Sequence, residues 1–198
     1  MSQQCALESP ARETEEPLQT FYRDEFLPKL ETEISRTDTN RADKHVELGS
    51  SPTSFLPLQT AGMHLQEHYI VRNPSIPAEK HLMTRSSTDF SDYADAHETY
   101  HPVFRSLLEK FNYYDIFLVD SSTGNIVYSV FKETVFGNSL TTGPYRNANI
   151  AGASYQASQA AGPGTAHFID FEPYLPSFNA PAAFISSPIF ADGKQLGV

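Results

Sequence analysis

The sequence predicts an α+β fold: long N-terminal helices followed by an antiparallel sheet whose last strand is truncated. Three observations carry this. Apolar residues recur at helical spacing up to residue 111 and at alternate positions after residue 112. The later half is punctuated by two turn signals, "SSTG" at 121–124 and "ADGK" at 191–194, each able to close a hairpin. Finally, "QLGV" opens a strand and stops at Val198, short of an ordinary strand. The expectation is therefore a piece of a longer protein.

Residues 1–17 read as a frayed start. "LQTFYRDEFLPKLETEI" (18–34) places Leu18, Phe21, Phe26, Leu30 and Ile34 near helical spacing, with Pro28 breaking or bending the helix. The polar stretch 35–54 reads as a loop. A second helix over about 57–72 carries the stripe Leu58, Ala61, Leu65 and Tyr69, and "NPSIPAEK" (73–80) stops it with two prolines. A third helix runs from about Asp89 to Phe111, with Asp89 or Ser91 as its cap. Its stripe is Tyr93, Ala96, Tyr100, Phe104, Leu107 and Phe111, and Pro102 is expected to kink it.

Beyond residue 112, "YDIFLVD" (114–120) and "NIVYSVFK" (125–132) are strands, and Gly124 supplies the positive φ of the turn between them. "TTGPYRNANIAGASYQASQAAGPG" (141–164) is a loop, a short Ala-rich helix and a Gly-Pro stop. "AHFIDFE" (166–172) and "PAAFISSPIF" (181–190) are two further strands.

The bulk properties exclude several classes of partner. Fourteen Lys and Arg stand against 24 Asp and Glu, a net charge of −10. Nucleic acid and anionic membrane surfaces need a cationic footprint, so neither is expected as a partner. The single cysteine, Cys5, has no internal disulfide partner. No apolar run is long enough to span a bilayer, and the first residues lack the features of a signal peptide.

One motif points to chemistry. His97-Glu98-Thr99-Tyr100-His101 has the H-E-x-x-H spacing that sets two imidazoles and a general base against zinc, and "HLQEH" (64–68) matches the reversed pattern. Against the zinc reading, Pro102 follows His101 directly and Phe104 stands where an extended motif has glycine. The next histidine is His167. Histidines hydrogen-bonded on a partly buried helix are the favoured reading, and a zinc metallopeptidase is the alternative.

The order of helices, hairpin, helical crossover and returning strands is that of a PAS-like sensory module. The strings "YHPVFRSLLEKFNYYDIFLVDSSTGNIVYSVFKE", "GPYRNANIA" and "DFEPYLPSFNAPAAFISSPIFADGKQLGV" resemble the double-Cache extracytoplasmic sensor regions of bacterial receptors. The resemblance divides the chain into a helical lead-in (1–56), partly disordered, and a membrane-distal Cache module (57–198). It implies a receptor at the inner membrane, such as a chemotaxis protein, sensor kinase or nucleotide cyclase, with its output domain elsewhere in the protein. It further implies no catalysis, no cofactor, and a possible homodimer through the long helices. The last strand of such a sheet pairs beside the first.

Such a module grips a small molecule between one sheet face and its cover. Strand alternation puts Tyr128, Val130 and Lys132 on one face. Tyr145 and Arg146 lie on the covering loop, and Asp170, Tyr174, Ser177 and Ser186 lie along the returning strands. The candidate ligand-binding residues are thus Tyr128, Lys132, Tyr145, Arg146, Asp170, Tyr174 and Ser186. An amine or amino acid would seek Asp170, whereas an organic acid would seek Arg146 or Lys132. The Arg-x-Trp-Tyr signature of amino-acid-binding relatives is missing, since the chain has no tryptophan. A free-standing soluble PAS-like interaction module is a third reading.

Overall fold

The computed structural model describes residues 10–37 and 51–198. Cys5 and most of the 35–54 stretch lie outside the described residues. The architecture is α+β, and the longest α-helix is not N-terminal. Helix α1 (Pro10–Phe21) starts inside the stretch read as frayed and passes through a wide π turn, Tyr22–Phe26, into α2 (Leu27–Thr37). The expected long N-terminal helices are thus two of 12 and 11 residues. Pro28 does not end the run. The Leu27 N–H reaches back five residues to the Tyr22 carbonyl, which widens the backbone where the Pro28 ring would otherwise clash. The same turn aligns Leu18, Tyr22, Phe26 and Leu30, all fully or almost fully buried. A four-residue repeat overshoots an α-helical turn at each step, and a wider turn absorbs the overshoot.

Helix α3 (Thr60–Gln66) continues into a second π turn, Glu67–Val71. The expected stripe is corrected here: Leu58 and Ala61 are exposed, and the buried face is Gly62, Gln66, Tyr69 and Ile70. Close approach sets this face. A Cβ on Gly62 would stand 2.1 Å from the Gly137 carbonyl oxygen, so only glycine lets the two backbones meet.

Helix α4 (Asp92–Phe111) runs unbroken through Pro102 and ends at Asn112 in the left-handed conformation. Its stripe is also rotated from expectation. Ala94, His97, His101 and Leu108 are buried, whereas Tyr100, Leu107 and Phe111 are exposed. The histidines turn inward because each finds a hydrogen-bond partner there.

Strands β1 (Phe117–Val119) and β2 (Ile126–Ser129) form an antiparallel hairpin around the turn that Gly124 permits at φ 69°. Helix α5 (Asn149–Ser158) follows, then β3 (His167–Tyr174), β4 (Ala180–Ser186), β5 (Ile189–Ala191) and β6 (Lys194–Gly197). The strands make three antiparallel two-stranded ladders, β1 with β2, β3 with β4, and β5 with β6. Reciprocal hydrogen bonds of 2.8 and 2.9 Å between Val119 and Val198, with an Asp120–Gly197 bridge, place the β6 line on the second edge of β1. β4 and β5 follow one another in the chain, separated by Ser187 and Pro188.

The two sheet faces are covered differently. Phe117, Val119, Tyr174 and Phe184 face the main core, which also holds Leu18, Tyr22, Phe26, Phe136 and Ile150. Ile116, Leu118, Tyr128 and Val130 face α4, against Phe104 and Leu108. Among the described residues, no helix is long and apolar enough to cross a membrane.

Candidate functional site

The residues of the H-E-x-x-H motif divide between the interior and the surface. His97 Nδ1 donates to the Thr84 carbonyl at 2.6 Å. His101 Nε2 donates to the His81 carbonyl at 2.7 Å, and its Nδ1 accepts from the Tyr128 hydroxyl at 2.7 Å. Both nitrogens of His101 are therefore occupied. Glu98 points away and pairs with Arg85 at 2.8 Å on the surface. Burial, then the nearby Lys132 cation, pushes His97 down to about 3 and His101 down to about 4. Both rings are neutral pillars between α4 and β2. In the reversed motif, His64 pairs with Asp89 at 3.0 Å and His68 with the Thr88 hydroxyl at 2.8 Å. Among the described residues, no group of three or more His, Cys, Asp or Glu could hold a metal ion.

Most of the predicted ligand residues have other duties. Tyr128 is buried against Phe104 and His101. Lys132 does not share its strand face, because β2 ends at Ser129 and Lys132 turns back at φ 61°. Its ammonium is buried, donating to the carbonyls of Ser129 at 2.5 Å and Val130 at 3.3 Å. Tyr145 is buried, its hydroxyl 2.8 Å from that of Thr134. Arg146 is exposed and reaches only the Gly143 carbonyl, and Asp170 is exposed and accepts from the Phe171 N–H. The seven residues therefore form no single site.

Two of them, Tyr174 and Ser186, line a groove of about 620 Å³ between β1, the β3–β4 hairpin and α5. Tyr174 is 1% exposed, packs on Phe184 with centroids 5.2 Å apart, and its hydroxyl has no partner. Ser186 donates to the Ala153 carbonyl at 2.7 Å, which ties α5 to β4. Asn149, at the start of α5, donates to the Ala182 carbonyl at 2.6 Å and the Asp170 carbonyl at 3.3 Å, and its Oδ1 is unpartnered and buried. Phe117, Phe184, Ile150 and Ala153 supply the apolar wall.

At the mouth, the Tyr114 hydroxyl donates to Glu133 at 2.7 Å, and Ser177 Oγ lies 2.8 Å from both oxygens of the same carboxylate. Burial pushes Glu133 up to about 7. Next to it, Asp115 accepts from the backbone N–H groups of Ile116, Val130 and Phe131 and from the Ser129 hydroxyl. Burial raises Asp115 and lowers Lys132, while the attraction between them opposes both shifts. These carboxylates brace the loop after β2. Asp115, Glu133, Ile150 and Phe117 escaped sequence reasoning because nothing in their local pattern marks a wall assembled from segments far apart in the chain. Ser177, between two strands, was legible.

No family model, curated protein or solved structure matches the chain.

Proposed function

We propose that the chain is a non-catalytic recognition module, the ligand-binding sensory input of a receptor of the Cache type, acting outside the cytoplasm. The observation that carries this reading is the groove. It is concave and mainly apolar, walled by strands and by α5, and its lining includes Tyr174, whose buried hydroxyl lacks a partner. The placement of the β6 line between β1 and β5 supports a PAS-like platform. The use of both ring nitrogens of His101 inside the fold and the pairing of Glu98 with Arg85 support this reading over a metallopeptidase.

Of the ligand classes the sequence admitted, an organic acid loses its cations, since Lys132 is engaged inside the fold and Arg146 stays on its loop. A neutral or cationic organic molecule suits aromatic walls better. Calorimetric titration with panels of amines, amino acids and organic acids tests the reading. Binding by an amine or amino acid that Tyr174→Phe weakens and Arg146→Ala leaves unchanged is expected. If no panel member binds, or if affinity follows Arg146 and not Tyr174, the reading fails.

A further inference from the structure

Helix α4 carries two apolar faces. Ala94, His97, His101 and Leu108 are buried inside the fold. Roughly a quarter of a turn away, Ala96, Tyr100, Val103 and Leu107 form a second stripe, and it lies in solvent. Tyr100 is 60% exposed, Val103 65% and Leu107 42%. A surface helix ordinarily turns polar side chains outward. The steps of this stripe are four, three and four residues, the spacing of a coiled-coil seam. Ala96 and Val103 hold one set of seam positions, Tyr100 and Leu107 the other. A seam this short would not hold two free helices together, but α4 is already folded on the sheet, so only the contact has to form.

The charges of α4 indicate the partner. Asp95 and Glu98 are paired with Arg85, and Arg105 with Glu109. Among the described residues, Asp92 and Lys110 make no ion pair. They stand about five full turns apart and so share one edge of the stripe, at its opposite ends. A helix laid against the stripe in the opposite direction, and carrying the same two charges, brings Lys110 of each beside Asp92 of the other. Side-chain sizes agree with this direction. An antiparallel seam sets the two kinds of position against each other, so Ala96 meets Leu107 and Tyr100 meets Val103, small against large at each level. In a parallel pair Tyr100 meets Tyr100 and Ala96 meets Ala96, which alternates crowding with gaps, and like charges stand level.

We infer that α4 is a self-association surface that takes α4 of a second copy of this chain, antiparallel, with Ala96 against Leu107, Tyr100 against Val103 and Asp92 beside Lys110. A two-fold axis crossing the helices between His101 and Pro102 repeats each contact once. The seam from Ala96 to Leu107 is only about 17 Å long, so the dimer is reversible and forms at roughly micromolar concentration or above. The inference goes beyond the sensor reading and does not use the groove, which Leu107 borders but Asp92, Ala96, Tyr100, Val103 and Lys110 do not.

Analytical ultracentrifugation of the full chain tests this. The mass is expected to rise from one copy to two with concentration. Val103→Glu is expected to abolish that rise while leaving the circular dichroism and melting temperature of the dilute protein unchanged. Lys110→Glu is expected to weaken association about threefold to tenfold, and Asp92→Lys combined with Lys110→Glu to restore it. A single-copy mass up to about 1 mM, or association that Val103→Glu leaves intact, overturns the inference. Direction is read by cysteine cross-linking in a Cys5→Ser background, since the chain has no other cysteine. Ala96→Cys and Leu107→Cys proteins are expected to form a disulfide dimer when mixed and none alone. Along an antiparallel seam the two Ala96 positions lie about 16 Å apart, beyond the reach of a disulfide. Cross-linking of either variant by itself, or none in the mixture, overturns the antiparallel pairing. These cross-links do not depend on the folding of the Val103 variant.

Discussion

His101 is wedged between α4 and β2 with both ring nitrogens used, one by the His81 carbonyl and one by the Tyr128 hydroxyl. Removing that hydroxyl strands a buried acceptor, so Tyr128→Phe is expected to destabilise the protein by about 1–3 kcal/mol in urea unfolding, although one oxygen is all that changes. The titration of buried groups gives a second prediction. The unfolded chain takes up protons on His97 and His101 near their ordinary value of 6.5, whereas the folded rings resist until about 3 and 4. Stability from these rings is complete above 6.5 and is lost as pH falls towards 4. Glu133 acts with the opposite sign. Its folded carboxyl keeps a proton up to about 7 against an ordinary 4.5, so its contribution is complete below 4.5 and lost as pH rises to 7. In melting curves across pH, His97→Gln should flatten the acid limb and Glu133→Gln the limb between 4.5 and 7. Unchanged slopes in both variants would refute the assignment.

At the scale of elements, type was legible and facing was not. The change of period after residue 112, the "SSTG" and "ADGK" turns and the Ala-rich α5 all stand close to where the sequence puts them. The apolar stripes of α3 and α4 were misplaced for two physical reasons. On α3, Leu58 stands before the first helical residue, and the close approach of Gly62 to Gly137 turns Ala61 outward, a long-range contact that a 3.6 period cannot anticipate. On α4, His97 and His101 took the interior in place of Tyr100 and Leu107; His101 has both ring nitrogens hydrogen-bonded and His97 has one, which lowers the cost of burying them. Lys132 missed its face because Asp115 gathers the Val130 and Phe131 amides and ends the strand early. The meeting of Gly62 with Gly137 gives a further test. Gly62→Ala drives a methyl into a backbone carbonyl and should destabilise by about 1–3 kcal/mol, or more, in chemical denaturation.

Over the whole molecule, one core joins the N-terminal helices to the sheet. Phe136 is fully buried in the cluster that holds Leu18, Tyr22 and Phe26 from one end of the chain and Tyr145 and Tyr174 from the other. Phe136→Ala should cost about 3–5 kcal/mol. Helix loss by circular dichroism and tyrosine exposure by absorbance should also move together, as one cooperative unit requires. Separate transitions would mean that α1 and α2 fold apart from the strands. The candidate site was the least legible level, because a groove between non-consecutive strands exists only once long-range pairing has set their order.

The reciprocal bonds between Val119 and Val198 also have a mechanical meaning. Tension applied to the chain at Val198 pulls first on a strand in the middle of the fold, six residues after the close of α4. Because β1 is held by neighbours on both sides, such a load would be shared across β2 and α4 before any surface loop gave way, and a small tug there would tilt the helix.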